Sequence, residues 1–346
     1  MKKLILLAGL HKTGTTSIQT ACGNSLEALG ASGFLFPLMR MQNNDGILSR
    51  HANHSTLLTP IFRKKSLSSF PDEIRLYEAG RKHRRDTFKN FLEANQANLL
   101  LIAEECSLLA PDELLDLKDF FNALNFEVQV YCCIRSPSAW VTSMIAQQVM
   151  GKRSQRLIIA KLIETFVKAG GIMLSRIQKI GTAFPDAKFY SFNAAISHKT
   201  GPAGYFLSLL GIPLGENFSS IRENVGGSDH AVRVNSKINE NLGKRHQFKD
   251  NDSFYTALSL KYPALFEIPG NKFVLREAEA ATLLPYLIKE NEWLKNTFGE
   301  GFYEEEIGFS NDPVMLDDET RQFLIDNFNS AEQPVKQIVE RYLAEH

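Results

Sequence analysis

A lysine and four hydroxyl side chains stand around one glycine near the start of the chain. The segment reads His11-Lys12-Thr13-Gly14-Thr15-Thr16-Ser17, and Gly9 stands two positions before it. Glycines at a turn between a strand and a helix let successive backbone N–H groups point at one anion. The helix start adds the positive end of its dipole. These residue types in this order therefore favour binding of a phosphate group.

The elements that must position this segment are a strand before it and a helix after it. The run Leu4–Leu7 is apolar and uncharged, long enough for a buried strand and too short to cross a membrane. After Gly14, apolar residues follow at helical spacing, namely Ile18, Cys22, Leu26 and Leu29. The pattern predicts a strand, a glycine-containing loop and a helix.

The loop departs from the nucleoside-triphosphate loop G-x-x-x-x-G-K-[ST] at one position. Gly9, Gly14 and Thr16 fit that spacing, but Thr15 occupies the place of the lysine. The lysine of the triphosphate loop reaches the β- and γ-phosphates, whereas the loop here carries its lysine upstream, at Lys12. This arrangement favours a phosphate donor other than ATP.

The segment resembles the 5′-phosphosulfate-binding loop of sulfotransferases that use 3′-phosphoadenosine 5′-phosphosulfate (PAPS), whose pattern is K-[ST]-G-T-[TS]. The resemblance implies that PAPS is the co-substrate and that no metal is required. It also implies a set of donor-binding residues: His11, Lys12, Thr13, Gly14, Thr15, Thr16 and Ser17. Lys12 would in addition stabilise the leaving phosphate. Taken alone, the segment also fits a glycine- and threonine-rich turn before a surface helix.

A second motif lies where the third predicted strand, 126–134, ends. Arg135 is followed by Ser136 and Pro137, a natural N-cap and a natural first helical residue. In the family that the loop resembles, an arginine here and a serine eight positions later hold the 3′-phosphate of PAPS. Arg135 and Ser143 fit that pattern, and a guanidinium suits bidentate phosphate binding.

Candidates for the base that removes the proton of an acceptor hydroxyl are Glu105, His54 and His11, of which His11 better suits a role in fixing the loop. The apolar run 99–103 ends at Glu104-Glu105, where parallel sheets place ligands. The resemblance matches Glu105 with the glutamate of an S-S-E strand end, and Asn53-His54 with an Asn-His pair. Alternatives stay open. Either glutamate could place a negative charge at the start of the next helix or pair with a basic residue. His54 could be a surface residue of a polar loop.

Composition excludes some classes of function. The chain has 346 residues, and its 39 basic and 39 acidic residues cancel, so no bulk electrostatic binding to nucleic acid is expected. The four cysteines show no metal-ligand spacing and lie mainly in apolar contexts, which predicts buried, reduced thiols and a cytoplasmic protein. No stretch reaches transmembrane length.

The predicted fold class is α/β, with a central, mostly parallel sheet flanked by helices and a helical C-terminal portion, as in the P-loop-like sulfotransferase fold. We expect a single domain over 1–346, with a nucleotide-binding core in 1–200. The mainly helical part, 201–346, would shape the acceptor cleft. Segment 38–69 reads as a long loop or broken helices, and single helices are predicted at 277–298 and 319–343. The family's late R-K-G triplet is absent, and Arg222-Glu223-Asn224 lies in a polar stretch.

The expected reaction moves a sulfuryl group from PAPS to a hydroxyl of a glycan, lipid or small molecule, leaving adenosine 3′,5′-bisphosphate. Two alternatives remain open at this point: a P-loop small-molecule kinase, and a non-catalytic nucleotide-binding protein on the same fold. The sequence does not choose the acceptor or the oligomeric state.

Overall fold

A computed structural model describes residues 1–42, 48–64, 71–151, 158–171, 173–213, 227–243, 261–312 and 315–346. The chain divides into two compact units. The first comprises Met1–Arg135, Met173–Asn224 and Phe298–Phe302, and the second comprises Ser136–Ile172, Val225–Thr297 and Tyr303–His346. The predicted boundary at residue 200 falls inside the first unit, and the single domain over 1–346 stays a prediction.

A five-stranded parallel sheet forms the centre of the first unit, in the order β2-β5-β1-β6-β7. A separate antiparallel pair is formed by β3 and β4. The strands are β1 (Lys2–Leu7), β2 (Phe34–Leu35), β3 (Met39–Gln42), β4 (Leu48–His51), β5 (Asn98–Ile102), β6 (Phe126–Ile134) and β7 (Lys188–Ser191). The predicted α/β class with a parallel central sheet is confirmed.

Helices flank this sheet. They are α1 (Thr15–Asn24), α2 (Leu26–Ala31), α3 (Ser55–Phe62), α4 (Pro71–Ala94), α5 (Pro111–Ala123), α8 (Met173–Ala183), α9 (Phe192–Ser197) and α10 (Gly201–Leu209). Short 3-10 turns occupy Glu104–Leu108 and Glu300–Phe302. One face of the sheet buries Ile5, Leu7 and Cys133 against α1 and α10. Strands covered on both faces contain long apolar runs, which is why β1, β5 and β6 could be predicted from the sequence.

The order of the strands places the loop after β1 at the centre of the sheet's carboxyl edge. Leu4 pairs with Leu99 of β5 on one side and with Val128 of β6 on the other. Later strands of the chain therefore lie on both sides of β1. Ligands of α/β sheets bind at such a topological switch point. The segments that follow β1, β5 and β6 meet at this edge.

The prediction for 38–69 was wrong in part. Segment 38–69 contains the β3–β4 pair and the helix α3. In the sequence, the polar composition around Asn53 and the proline at position 60 conceal these elements. The predicted helix after Gly14 is also interrupted at Ser25, where α1 ends and α2 begins.

The second unit contains α6 (Pro137–Val149), α7 (Ile159–Lys168), α11 (Asp229–Gly243), α12 (Glu277–Ala280), α13 (Leu284–Phe298), α14 (Asp318–Phe328) and α15 (Gln333–Glu345). Each of the two long helices predicted for 277–298 and 319–343 is in fact a pair. Pro285 and Pro334 lie in the first turns of α13 and α15, where a missing N–H is tolerated, and each marks a new start. Arg222-Glu223-Asn224 lies outside the described residues.

A paired charge network lies inside the second unit. The Arg233 Nε donates to Asp229 Oδ2 at 3.0 Å, and its Nη1 donates to Glu279 Oε1 at 2.6 Å. Arg276 Nη2 donates to the same Asp229 oxygen at 2.9 Å. Buried charges need such partners, so these side chains hold α11 to the segment around α12. Among the helices in the described ranges, none has the length and apolar composition needed to cross a membrane.

Candidate functional site

Backbone hydrogen bonds hold the start of the loop against β6. The Ala8 N–H donates to the Tyr131 carbonyl at 2.9 Å, and the Leu10 N–H donates to the Cys133 carbonyl at 3.0 Å. The Cys133 N–H in turn donates to the Gly9 carbonyl at 2.8 Å. Because the pairing continues past the end of β1, the loop leaves the sheet only after Leu10, in a fixed direction.

Positive φ angles then turn the chain into α1. Lys12 has φ 64° and Gly14 has φ 78°, and left-handed residues between right-handed ones turn successive N–H groups toward one concavity. Gly14 is the N-cap of α1, and no described side chain caps that helix. The N–H groups of its first turn lack partners within the helix. The loop and the helix start together form a cradle for an anion.

Gly9 allows the close approach between the loop and the turn that follows β5. A Cβ at this position would lie 3.0 Å from the Glu104 carbonyl oxygen and 3.2 Å from Ser107 Cβ, at φ +124°. Any side chain here would therefore be closer to the Glu104 backbone and to Ser107 than ordinary van der Waals contact allows.

We expect Gly9→Ala to lower the free energy of unfolding by about 1–3 kcal/mol, because it adds backbone strain and steric overlap. Urea unfolding followed by circular dichroism measures the change. The control is Gly30→Ala in α2, where a Cβ would meet nothing within 4 Å; this variant should be neutral or slightly stabilising. Equal stability of the two variants would contradict the close packing at Gly9.

The Thr13 side chain points into the protein. It is fully buried, and its Oγ1 donates to the Leu10 carbonyl at 2.6 Å, which closes the loop on itself. The Thr13 hydroxyl therefore shapes the loop, and a donor would meet only the backbone of this residue. Thr16 is half-buried, whereas Ser17 is 7% exposed.

Thr15 connects the loop to the carboxyl end of β5. Its hydroxyl donates to Glu104 Oε2 in a short hydrogen bond. Burial raises the pKa of Glu104, and this rise is opposed by the Thr15 hydrogen bond and by the positive charge of Lys12. The carboxylate at the loop is therefore that of Glu104, the first residue after Ala103, although the sequence favoured Glu105.

Glu105 is the next residue of the same turn. Its backbone N–H donates to Ser55 Oγ at 3.2 Å, and its carboxylate raises the pKa of His11. Burial of His11 and the positive charge of Arg176 outweigh that effect, so the pKa of His11 falls to about 4. His11 is thus a neutral imidazole at pH 7, and it does not add a second positive charge beside Lys12.

His54 is a buried connector between three segments. Its Nδ1 accepts from the Ile102 N–H at 2.9 Å, and its Nε2–H donates to the Pro37 carbonyl at 2.7 Å. The side chain is 0% exposed and its ring lies edge-on to Phe36. Both ring nitrogens are bonded to backbone groups, which disfavours the predicted proton-accepting role of His54. The polar sequence around the residue concealed this burial.

Arg135 follows β6 directly and contacts the loop. Its Nη1 donates to the Lys12 carbonyl at 3.2 Å, and its guanidinium carbon lies 5.2 Å from the centre of the Phe192 ring. The predicted second anion-binding residue thus lies beside the first motif. Ser143 is half-buried on α6 in the second unit, and its contact with a phosphate stays a prediction.

Two contributors to this site could not be found by motif. Arg176 comes from α8, far along the chain from the loop, and acts on His11. Phe192 starts α9 and lies against Arg135 and near Gly14. Neither follows a recognisable local pattern, because only the strand order brings them to this edge.

All four cysteines are free and buried, as predicted. Burial raises the pKa of the Cys133 thiol to about 12, so it is not a nucleophile at neutral pH. In the part of the chain that the structure describes, no group of three or more His, Cys, Asp or Glu residues is arranged to hold a metal ion.

Comparisons with known proteins find no matching family model, no similar curated protein and no similar solved structure.

Proposed function

We propose that this chain is a sulfotransferase that moves a sulfuryl group from PAPS to a hydroxyl of a glycan, lipid or small molecule. The observation that carries the proposal is the position of Lys12 within the loop and of the Glu104 carboxylate beside it. Lys12 lies before Gly14, and Thr15, at the lysine position of a triphosphate loop, donates its hydroxyl to Glu104. The loop therefore suits one phosphate with an adjoining sulfuryl group better than a triphosphate.

The phosphate of the donor would lie over the N–H groups of the loop and of the first turn of α1. Its charge is complementary to the positive end of the helix. The Lys12 ammonium would neutralise the phosphate oxygen that bears the sulfuryl group. His11 is neutral, so it adds no second positive charge beside the Lys12 ammonium.

Glu104 is the proposed proton acceptor. The acceptor hydroxyl loses its proton to the Glu104 carboxylate while its oxygen forms a bond to sulfur. The bond between sulfur and the bridging phosphate oxygen breaks, and the electron pair stays on that oxygen, opposite Lys12. The products are the sulfated acceptor and adenosine 3′,5′-bisphosphate, and every proton and electron pair is accounted for.

Partial burial supports this role for Glu104. A carboxyl whose pKa is raised by burial is a better base near neutral pH than an exposed one. Glu105, which the sequence favoured, acts electrostatically on His11, whereas Glu104 accepts the Thr15 hydrogen bond and is influenced by the charge of Lys12. The four buried, free cysteines support a cytoplasmic location.

Nucleotide preference tests the proposal. Adenosine 3′,5′-bisphosphate should bind more tightly than ADP, because ADP has no 3′-phosphate for Arg135. Arg135→Ala should lower the affinity for the bisphosphate by about 10- to 100-fold, the range for a charged hydrogen bond, with a smaller loss for ADP. Isothermal titration of both nucleotides measures the two affinities.

The matched control is Arg84→Ala, which removes an exposed arginine from α4. Arg135 also bonds the Lys12 carbonyl, so an equal loss for both nucleotides would assign it to the loop alone. Tighter binding of ADP or ATP by the parent chain, with phosphoryl transfer to an acceptor panel, would establish the kinase alternative. Binding without turnover on PAPS would favour the non-catalytic alternative.

A further inference from the structure

The strand β5 continues past the end of its pairing with β2. The strand β2 is two residues long and pairs with Asn98 and Leu99, whereas β5 ends at Ile102. Ile102 is fully buried, and buried backbone N–H and C=O groups need hydrogen-bond partners. At Ile102 a residue outside β2 must therefore supply them.

His54 supplies a partner for both groups. Its backbone N–H donates to the Ile102 carbonyl at 3.0 Å, and its Nδ1 accepts from the Ile102 N–H at 2.9 Å. The N–H of the next residue, Ala103, donates instead to Leu7 of β1 at 2.9 Å. His54 thus takes the place of a neighbouring strand at the carboxyl end of β5.

The imidazole of His54 is itself held in one orientation. Its Nε2 lies 2.7 Å from the Pro37 carbonyl. A carbonyl can only accept, so Nε2 carries the proton and Nδ1 is left as the acceptor for Ile102. The Phe36 ring contacts the imidazole edge-on, with the ring centres 4.8 Å apart. These contacts fix the ring, and with it the position of the Ile102 N–H.

The next residue, Ser55, holds the chain on the far side of Glu104. Its Oγ accepts from the Glu105 N–H at 3.2 Å, and the residue is 1% exposed. Ile102 and Glu105 lie two residues before Glu104 and one residue after it. The consecutive residues His54 and Ser55, at the start of α3, therefore hold the backbone on both sides of the carboxylate that bonds Thr15.

We propose that His54 is a positioning residue of the transferase site, which holds the end of β5 so that the Glu104 carboxylate stays at the phosphate loop. Because the imidazole is fully buried, it acts through Glu104 and not on the substrate. Hydrogen bonds behind a catalytic group keep it within about 0.5 Å of its working position. The catalytic role rests on the proposed function, whereas the hold on Glu104 is measurable without turnover.

The variants His54→Asn and His54→Leu test the proposal. The amide oxygen of asparagine lies about where Nδ1 lies and can accept from the Ile102 N–H, whereas leucine has no acceptor. We expect His54→Leu to lower kcat with PAPS by about 10- to 100-fold, since a displacement of about 1 Å can cost about 100-fold. The affinity for adenosine 3′,5′-bisphosphate should change far less. His54→Asn should retain most of the parental kcat, and its kcat/KM should still fall at low pH as in the parent.

A carbon-13 NMR titration of the Glu104 carboxyl reports on its environment without turnover. Burial raises the pKa of Glu104, so the release of the turn in His54→Leu should admit water and lower that pKa toward the usual value of a glutamate. His54→Asn should keep the parental pKa. His54→Gln, whose longer side chain keeps a donor for Pro37 and moves its amide away from Ile102, replaces the leucine variant if that variant does not fold.

The matched control is His230→Leu in the second unit. It also removes a buried histidine, whose Nδ1 shares a hydrogen bond of 2.9 Å with the Tyr342 hydroxyl. The variant should lower the melting temperature and leave the pKa of Glu104 unchanged. It therefore separates a loss of stability from a displacement of Glu104.

Two outcomes would overturn the proposal. A parental kcat and a parental Glu104 pKa in folded His54→Leu would leave His54 a structural role alone. Loss of kcat in His54→Asn, together with loss of the fall at low pH, would make His54 the base itself. If the parent chain does not turn over PAPS, the proposed function fails, and the titration of Glu104 still decides whether His54 positions it.

Discussion

Replacing Glu104 with glutamine is expected to lower kcat by about 10²- to 10⁴-fold, the range for loss of a general base. Glutamine keeps the shape of the side chain, and its amide oxygen still accepts from Thr15, but it cannot take a proton. The affinity for adenosine 3′,5′-bisphosphate should stay almost unchanged. Turnover with PAPS and a panel of hydroxyl acceptors gives kcat, and calorimetry gives the affinity.

Glu105→Gln is the matched control, because it makes the same change one residue away on the same turn. It should leave kcat near the parental value, since the Thr15 hydrogen bond and the charge of Lys12 act on Glu104. A slow Glu105→Gln enzyme beside a fast Glu104→Gln enzyme would reverse the assignment.

The pH profile gives an independent readout of the base. Burial raises the pKa of Glu104, and only the ionised carboxylate accepts a proton. The parental kcat/KM should therefore fall as the pH drops through that raised pKa, and this acid limb should disappear in Glu104→Gln. If the acid limb persists in Glu104→Gln, the protonation of another group causes it.

The sequence predicted the strands of the central sheet better than the segments between them. The part of a strand that is buried on both faces is apolar, so the runs within β1, β5 and β6 were visible without knowledge of their partners. Segment 38–69 lacks such a run. Its elements depend on contacts such as the hydrogen bonds of His54 with Ile102 and Pro37, which join residues far apart in the chain.

The sequence identified the motifs that the strand order brings to one edge of the sheet, and it did not identify the contacts of the neighbouring residues. Glu104 and Glu105 are chemically identical, and the turn Glu104–Leu108 decides which one is directed at Thr15. A match to a short strand-end pattern can be shifted by one position. Here that shift decides whether Glu104 or Glu105 is matched with the glutamate of the pattern. Thr13 shows the same limit, since its type suggested a ligand while its burial makes it a support for the loop.

Lys12→Met is expected to lower kcat by about 10²- to 10³-fold, as for loss of one electrostatic stabiliser of a transition state. The donor's affinity should change far less, because the N–H groups of the loop and of α1 still bind the phosphate. Lys12 has φ 64°, and methionine at the same position carries similar backbone strain, so the substitution mainly removes charge. Steady-state kinetics with PAPS and titration with adenosine 3′,5′-bisphosphate separate the two effects.

Lys12→Arg keeps the charge and serves as the control, with an expected kcat between those of the parent and Lys12→Met. The neighbouring carboxylate supplies a further readout. The Lys12 charge lowers the pKa of Glu104, so Lys12→Met should move the acid limb of the kcat/KM profile to higher pH. A loss of donor affinity as large as the loss of kcat would make Lys12 an ordinary binding residue. An unmoved acid limb would show that Lys12 and Glu104 do not act on one reacting centre.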